Sequence, residues 1–401
     1  GDSALIKKDS IKTGPVILNF DSIQSKPYRV IFKPDMVMVG AGVDTYYGSG
    51  YAGEAVAVFS DLLGNHQITV AGDIQGDFVD YTHVYASYLN LEHKINYGFA
   101  GFYSRDYTSS NVYGDSLFFD VDAGVTLSAS CPFSLFSRLE LDATFQNLYR
   151  EPYVYTDALN KDTGSANLTY NIFIPSLSYC YDNILWGITG PINGTRAQAS
   201  LEISPPVKRI NSAFLSCDFD FRKYFHVFKR FVWANKIAVG SSIPLGSEQS
   251  SARKYFLGGD ENWLNFETNG AGYRANINNF FYSQIVVPFR GWSYLDLIGT
   301  NYAVFNTEFR FPFIKEFSIA WPVQMALRYI NGAVFADIGN AWNKEDEFKN
   351  IPLPKKIYGG VGYGLRANLG IFVVRYDYAW KTDWNTFLNS PVSYISLGAE
   401  F

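Results

Sequence analysis

Three short segments carry residue types that could act together. One is Phe289-Arg290-Gly291-Trp292, the second Asn306-Thr307-Glu308-Phe309-Arg310-Phe311-Pro312, and the third Phe335-Ala336-Asp337-Ile338-Gly339. In a strand, successive side chains point to opposite faces. Phe305, Phe309 and Phe311 claim one face, which leaves Asn306, Glu308 and Arg310 on the other. Likewise Asp337 and Gly339 oppose Val334, Ala336 and Ile338, and Phe335 shares the acidic face. The chemistry on offer is ionic, because a planar guanidinium forks onto carboxylates. Gly291 permits a tight turn that delivers Arg290. Shielded from water, Arg290 against Glu308 and Asp337 would pin a loop to a wall of strands. The plainer alternative is an ion pair that only stabilises the fold. Arg274, in Gly272-Tyr273-Arg274, is a second candidate for the pinning arginine.

Other reactive side chains point to no catalytic group, metal site or cofactor. The four histidines (His66, His83, His93, His226) accompany no Gly-x-Ser-x-Gly nucleophile, and His66 and His93 read as solvated turn residues. Asp73, Asp77 and Asp80 cluster near a loop, but not with calcium-loop spacing. Cys131, Cys180 and Cys217 are far apart and lack metal-ligand spacing, so each reads as a small apolar residue. The sequons at Asn167 and Asn193 match a very common pattern. With a net charge of -5, a nucleic-acid partner has no electrostatic support.

The elements that must position the three segments are strands. Apolar and polar residues alternate over 67–75, 138–146, 213–222, 361–366 and 374–379. The last segment places Ile395, Leu397, Ala399 and Phe401 on one face and Ser396, Gly398 and Glu400 on the other. Charged residues are 18% of the chain, against roughly 25% in soluble domains. Aromatics reach 17%, with 29 Tyr and 33 Phe, while mean hydropathy is only -0.06. No run of about 18 apolar residues suggests a membrane helix. Such a balance fits strands that are greasy towards lipid and polar towards a lumen. It fits a soluble β-sandwich less well. We therefore expect an all-β chain, a sixteen-stranded antiparallel transmembrane barrel. Its strands fall near 36–46, 52–63, 66–76, 80–92, 95–105, 116–130, 133–150, 165–182, 196–204, 211–225, 229–243, 301–314, 323–341, 356–369, 371–381 and 391–401. Trp342 and Trp380, near strand ends, fit an aromatic girdle or, nearly as well, ordinary core tryptophans. Residues 1–28 read as a linker from a preceding soluble region, and 29–401 as the barrel. From 244 to 300 alternation stops, and so long a connection calls for a function: it can fold into the lumen as a plug.

These motifs, their order and their strand positions resemble the barrel of the BamA/TamA-type assembly and translocation family (bacterial surface antigen family), including its subgroup with a TolB-like propeller before the barrel. Phe335 to Gly339 matches that family's Phe-x-Asp-x-Gly signature on strand thirteen, and Glu308 to Pro312 its Glu-x-x-x-Pro. The loop motif reads Phe-Arg-Gly-Trp where the family has Val/Ile-Arg-Gly-Phe/Tyr. The resemblance implies a loop lock made by Arg290, Gly291, Glu308, Asp337 and Gly339. It implies a bacterial outer-membrane location, with lipids, unfolded client proteins and accessory lipoproteins as partners. It also implies a lateral seam between the first and last strands, marked by Gly40 and Gly42 on one side and by Gly398 and Phe401 on the other. Glycine weakens strand pairing, and an opened edge offers backbone groups to a client strand. A passive or gated diffusion channel is the alternative. An outer-membrane enzyme is a third, for which the sequence holds no catalytic constellation.

Overall fold

In the computed structural model the alternating segments become long strands, and no α-helix lies among the described residues. The structure describes residues 27–44, 50–76, 81–110, 116–153, 168–207, 213–245, 252–262, 283–293, 296–319, 325–344, 347–348, 351–370, 373–388 and 390–398. Residues 1–26, which hold nearly all of the expected linker, lie outside them, as do Arg274 and Phe401.

The main sheet has seventeen strands, one of which is only Leu185–Trp186, leaving sixteen long ones. They are β1 (Lys33–Asp44), β2 (Gly50–Ser60), β3 (His66–Gly76), β4 (Tyr81–Asn90), β5 (Asn96–Ser110), β6 (Ser116–Pro132), β7 (Ser137–Tyr153) and β8 (Leu168–Asp182). There follow β9 (Pro191–Ser204), β10 (Phe214–Phe228), β11 (Phe231–Pro244), β12 (Asn301–Ile319), β13 (Met325–Trp342), β14 (Tyr358–Asn368), β15 (Val373–Thr382) and β16 (Val392–Leu397). Each pairs antiparallel with its neighbours in the chain, from β1–β2 through to β15–β16. Among the described residues no ladder joins β1 to β16. The fold is a sixteen-stranded antiparallel transmembrane β-barrel.

The turns on one rim are tight. Gly64 (φ 71°) and Gly370 (φ 97°) adopt left-handed backbone there, which costs glycine little. Strand parity sorts the faces. On β11, Trp233, Ile237, Val239 and Ile243 are exposed, while Val232, Ala234, Lys236 and Ala238 are buried. On β13, Val334 is exposed while Ala333, Phe335 and Asp337 are buried. Greasy side chains therefore coat the outside and charged ones are enclosed, the reverse of a soluble sandwich. Tyr363, Tyr378 and Trp380 form one aromatic cluster, with ring centroids 5.1–5.9 Å apart.

Several expectations need correction. Trp342 is buried, so it is not part of an exposed girdle; it ends β13 against the start of β12, at Asn301. His66 is not solvated: its ring contacts the Tyr88 hydroxyl at 2.7 Å. Cys180 does not sit as an apolar residue, because its thiol donates to Glu140 at 3.4 Å on the polar face. The connection expected over 105–115 is shorter, since β5 and β6 stay paired out to Ser110 and Ser116. Backbone pairing satisfies N–H and C=O groups whatever the side chains, so a ladder can run past the end of the alternating pattern.

Two connections turn inward. Between β8 and β9, the short strand Leu185–Trp186 folds back on β9. The Asn331 amide donates to the Thr189 hydroxyl, the Asn368 amide to the Ile188 carbonyl, and Arg310 Nη1 to the Pro191 carbonyl at 3.3 Å. Between β11 and β12, three short strands (Tyr255–Leu257, Gln284–Val286 and Leu297–Gly299) form a small sheet with the first in the middle. Three residues are too few for alternation to register in the sequence.

The lipid-facing assignment predicts a cost for charge. Val334→Arg, outward at mid-strand on β13, should destabilise the barrel by about 2–4 kcal/mol if it lies near the bilayer midplane. Unfolding in urea in lipid vesicles measures it.

Candidate functional site

The β11–β12 loop is held along the lumen wall, beginning at its start. Arg253 Nη1 donates to Glu202 on β9 at 2.6 Å, and the Tyr255 hydroxyl lies 2.9 Å from Ser216 and 3.0 Å from Asp218 on β10. Tyr255, Leu257, Val286, Phe289 and Trp292 pack with Ala238, Tyr302, Val304 and Ala341 of the wall. The loop thus supplies half of an apolar core inside an otherwise polar lumen.

Past that core the chain passes through a series of backbone anchors. Lys236 Nζ on β11 donates to the Val287 carbonyl at 2.7 Å. The Asn306 amide on β12 donates to the Pro288 carbonyl at 2.9 Å and to Asp337 at 2.8 Å. Arg290 follows, with no solvent exposure. Its Nε and Nη2 fork onto the two oxygens of Asp337 at 2.8 and 2.9 Å, and its own backbone N–H adds a third bond to that carboxylate at 2.9 Å. Nη1 reaches Glu308 at 2.8 Å and Asp377 on β15 at 3.4 Å. The guanidinium carbon stands 3.4 Å over the Phe335 ring. An arginine cannot shed its proton in a protein, so this charge must be answered where it lies.

The answering carboxylates are themselves shared. Arg310 Nε donates to Glu308 at 2.7 Å. Arg366 on β14 donates to Glu308 at 3.0 Å and to Asp377 at 2.6 and 3.0 Å. Three arginines (290, 310, 366) therefore face three carboxylates (308, 337, 377), all of them buried. The set is neutral and every carboxylate has more than one donor, the condition under which buried ions are tolerable.

Two glycines make room. Gly291 takes φ 91°, and a Cβ there would stand 2.8 Å from the β15 backbone at Trp380 and Lys381. A Cβ at Gly360 on β14 would collide with the Arg290 carbonyl oxygen. Beyond the arginine, the Gly291 N–H donates to the Tyr394 hydroxyl at 2.7 Å, that hydroxyl donates to the Trp292 carbonyl at 2.9 Å, and Trp292 Nε1 donates to the Gly359 carbonyl at 2.8 Å.

The structure thus brings Arg290, Gly291, Glu308 and Asp337 together. Gly339 stands apart from the guanidinium: the space its missing side chain leaves is taken by the β12 backbone at Ala303 and Val304. Of the residues expected to mark a seam, Gly40 and Gly42 lie in the β1–β2 ladder opposite Glu54 and Ala52. Gly398, at φ 119°, closes the β15–β16 ladder by donating to Val373 at 2.9 Å.

Sequence reasoning missed Asp377, Arg366 and Gly360. The signal was present: alternation already set Asp377 and Arg366 opposite the outward tyrosines. What was missing was the curvature that folds β14 and β15 over the same point as β12 and β13. Asp260 was missed too; it binds Arg375 Nη2 at 3.0 Å and Ser396 at 2.8 Å.

Comparison with known proteins agrees with this architecture. The Omp85 superfamily domain matches residues 78–401. The chain belongs to the Omp85 superfamily. The match starts within the first half of this Omp85 barrel, further upstream than its motifs alone suggested. Its fold is similar to that of BamA from Haemophilus ducreyi lacking POTRA domains 1–3, with TM-score 0.61 at 14% identity, covering 92% of this chain and 70% of that one. It is also similar to CdiB from Escherichia coli, with TM-score 0.53 at 15% identity, covering 93% and 67%. No curated protein matches the chain by sequence. As an Omp85 barrel it resides in the bacterial outer membrane.

Two substitutions test the cluster. Arg290→Ala leaves Asp337 and Glu308 short of a partner in a dry interior and should cost about 3–5 kcal/mol, read from chemical unfolding in detergent micelles. Gly360→Ala should displace the loop without breaking a strand. Protease cleavage between 253 and 290 should accelerate, while the barrel still migrates as folded on an unheated gel.

Proposed function

We propose that this Omp85 barrel inserts or translocates proteins through a lateral seam between β1 and β16, with the 244–300 loop locked inside the lumen by Arg290, Gly291, Glu308 and Asp337. The barrel unit is 29–401. The observation that carries this reading is the complete burial of Arg290 among carboxylates from β12, β13 and β15. A lumen occupied by an anchored loop on one side and by the inward β8–β9 connection on the other is poorly suited to passive diffusion. The seam is then the place where a client can engage.

The work is mechanical, not catalytic. A strand edge has unpaired N–H and C=O groups, and an extended client segment can pair with them. Glycines at 40 and 42 favour a β1 edge that opens readily. The lipid coat is its standing partner; unfolded client proteins, and accessory lipoproteins beside them, are the partners this reading adds.

One cysteine in β1 and another in β16 allow a disulfide across the seam. Oxidation should abolish client insertion into vesicles, and a reductant should restore it. Planar-bilayer recording separates the alternatives: a locked barrel stays closed apart from brief openings, whereas a steady large conductance would establish a diffusion channel.

A further inference from the structure

The lock does not end at Arg290. Gly259 bridges to Phe289, with the Phe289 N–H donating to the Gly259 carbonyl and the Gly259 N–H to the Trp292 carbonyl, each at 2.9 Å. The next three residues, Asp260, Glu261 and Asn262, lie against the last hairpin. Asp260 accepts from Arg375 and Ser396, and the Glu261 carbonyl accepts from Arg375 at 3.0 Å. Asn262 reaches the backbone of Leu397: its side-chain amide donates to the Leu397 carbonyl at 3.0 Å, and its own carbonyl accepts from the Leu397 N–H at 3.3 Å.

The direction of those two bonds is the decisive point. Leu397 pairs with Val374, while the next residue, Gly398, donates to Val373. In an antiparallel ladder, hydrogen-bonded and non-hydrogen-bonded pairs alternate. Leu397 is therefore in a non-bonded pair, and both its backbone groups point away from β15, towards the far edge of β16. Asn262 satisfies the donor and the acceptor at once, as one residue of a neighbouring strand would.

We propose that Asn262 is an autoinhibitory cap on the seam edge of β16, which must withdraw before an extended polypeptide strand can pair at Leu397. This rests on the seam reading above and adds a coupling to it. Cap and lock are joined back to back through the Gly259–Phe289 bridge, and both hold β16, the lock through Tyr394 and the cap through Ser396 and Leu397. Release of Arg290 would loosen the cap, so lumen opening and edge exposure would be one event.

The test uses residues 1–401 in lipid nanodiscs, with Cys131, Cys180 and Cys217 replaced by serine. The probe is a peptide of residues 391–401 bearing a photo-crosslinker, a surrogate for an incoming strand. A Cβ at Gly398 would lie 3.6 Å from the Asn262 amide nitrogen, so Asn262→Cys with Gly398→Cys places two thiols at the cap. Oxidation should form this disulfide and suppress crosslinking to β16 by about tenfold, and reduction should reverse it; Asn262→Ala, which removes one of the two bonds, should raise crosslinking severalfold. Equal crosslinking in the oxidised and reduced forms, or no rise in crosslinking for Asn262→Ala, would overturn the cap. The β1–β16 disulfide run alongside separates the two ideas. If it blocks client insertion while the cap disulfide has no effect on crosslinking, only the cap fails; if client insertion is indifferent to the β1–β16 disulfide, the seam itself fails.

Discussion

A permanently charged guanidinium sits where water does not reach, and the barrel interior is organised around that constraint. Removing an arginine from water costs several kcal/mol even after relaxation, and only well-placed acceptors offset it. Here the acceptors come from three strands, β12, β13 and β15, and a fourth strand, β14, contributes Arg366 and the empty space at Gly360. None of these groups would be stable alone. Glu308 without Arg290 and Arg366, or Asp337 without Arg290, would be a buried charge with too few donors. The loop and the wall therefore require each other.

In the proposed lock, that mutual requirement gives an all-or-nothing character. The loop's anchors run from Glu202 on β9 to Leu397 on β16. Its apolar core is excluded from water only while the polar anchors hold, and the ion pairs are strong only while the core keeps water out. A partial withdrawal would wet the arginine and weaken both sets of contacts together. Under the proposed function, a loop held this way favours two states, seated or released, over graded positions.

Much of this architecture was legible in the residues. A period of two in segments such as 138–146 and 374–379 specifies strands and their faces, because adjacent side chains in a strand must diverge. The parity of Phe305, Phe309 and Phe311 was enough to turn Glu308 inward. The long gap in alternation marked the connection that carries Arg290. Legibility failed where the pattern stopped being local. Trp342 looks like an interfacial residue and is buried; Cys180 looks like a small apolar residue and is a donor to a carboxylate. Gly339 belongs to a signature that points at the arginine, yet its space is used by the neighbouring strand.

From the sequence alone came the class of strand, its inward and outward faces, the place of the long connection and three of the charges in the Arg290 contact, since each follows from neighbours a few residues apart. Tertiary structure alone decided that Asp377 and Arg366 complete the cluster, that Gly360 yields its space to the Arg290 carbonyl, and that Asn262 meets Leu397 across 135 residues. The reason is geometric. Alternation tells each side chain which way to face, but closing a twisted sheet around a lumen determines which of the inward groups arrive at the same point.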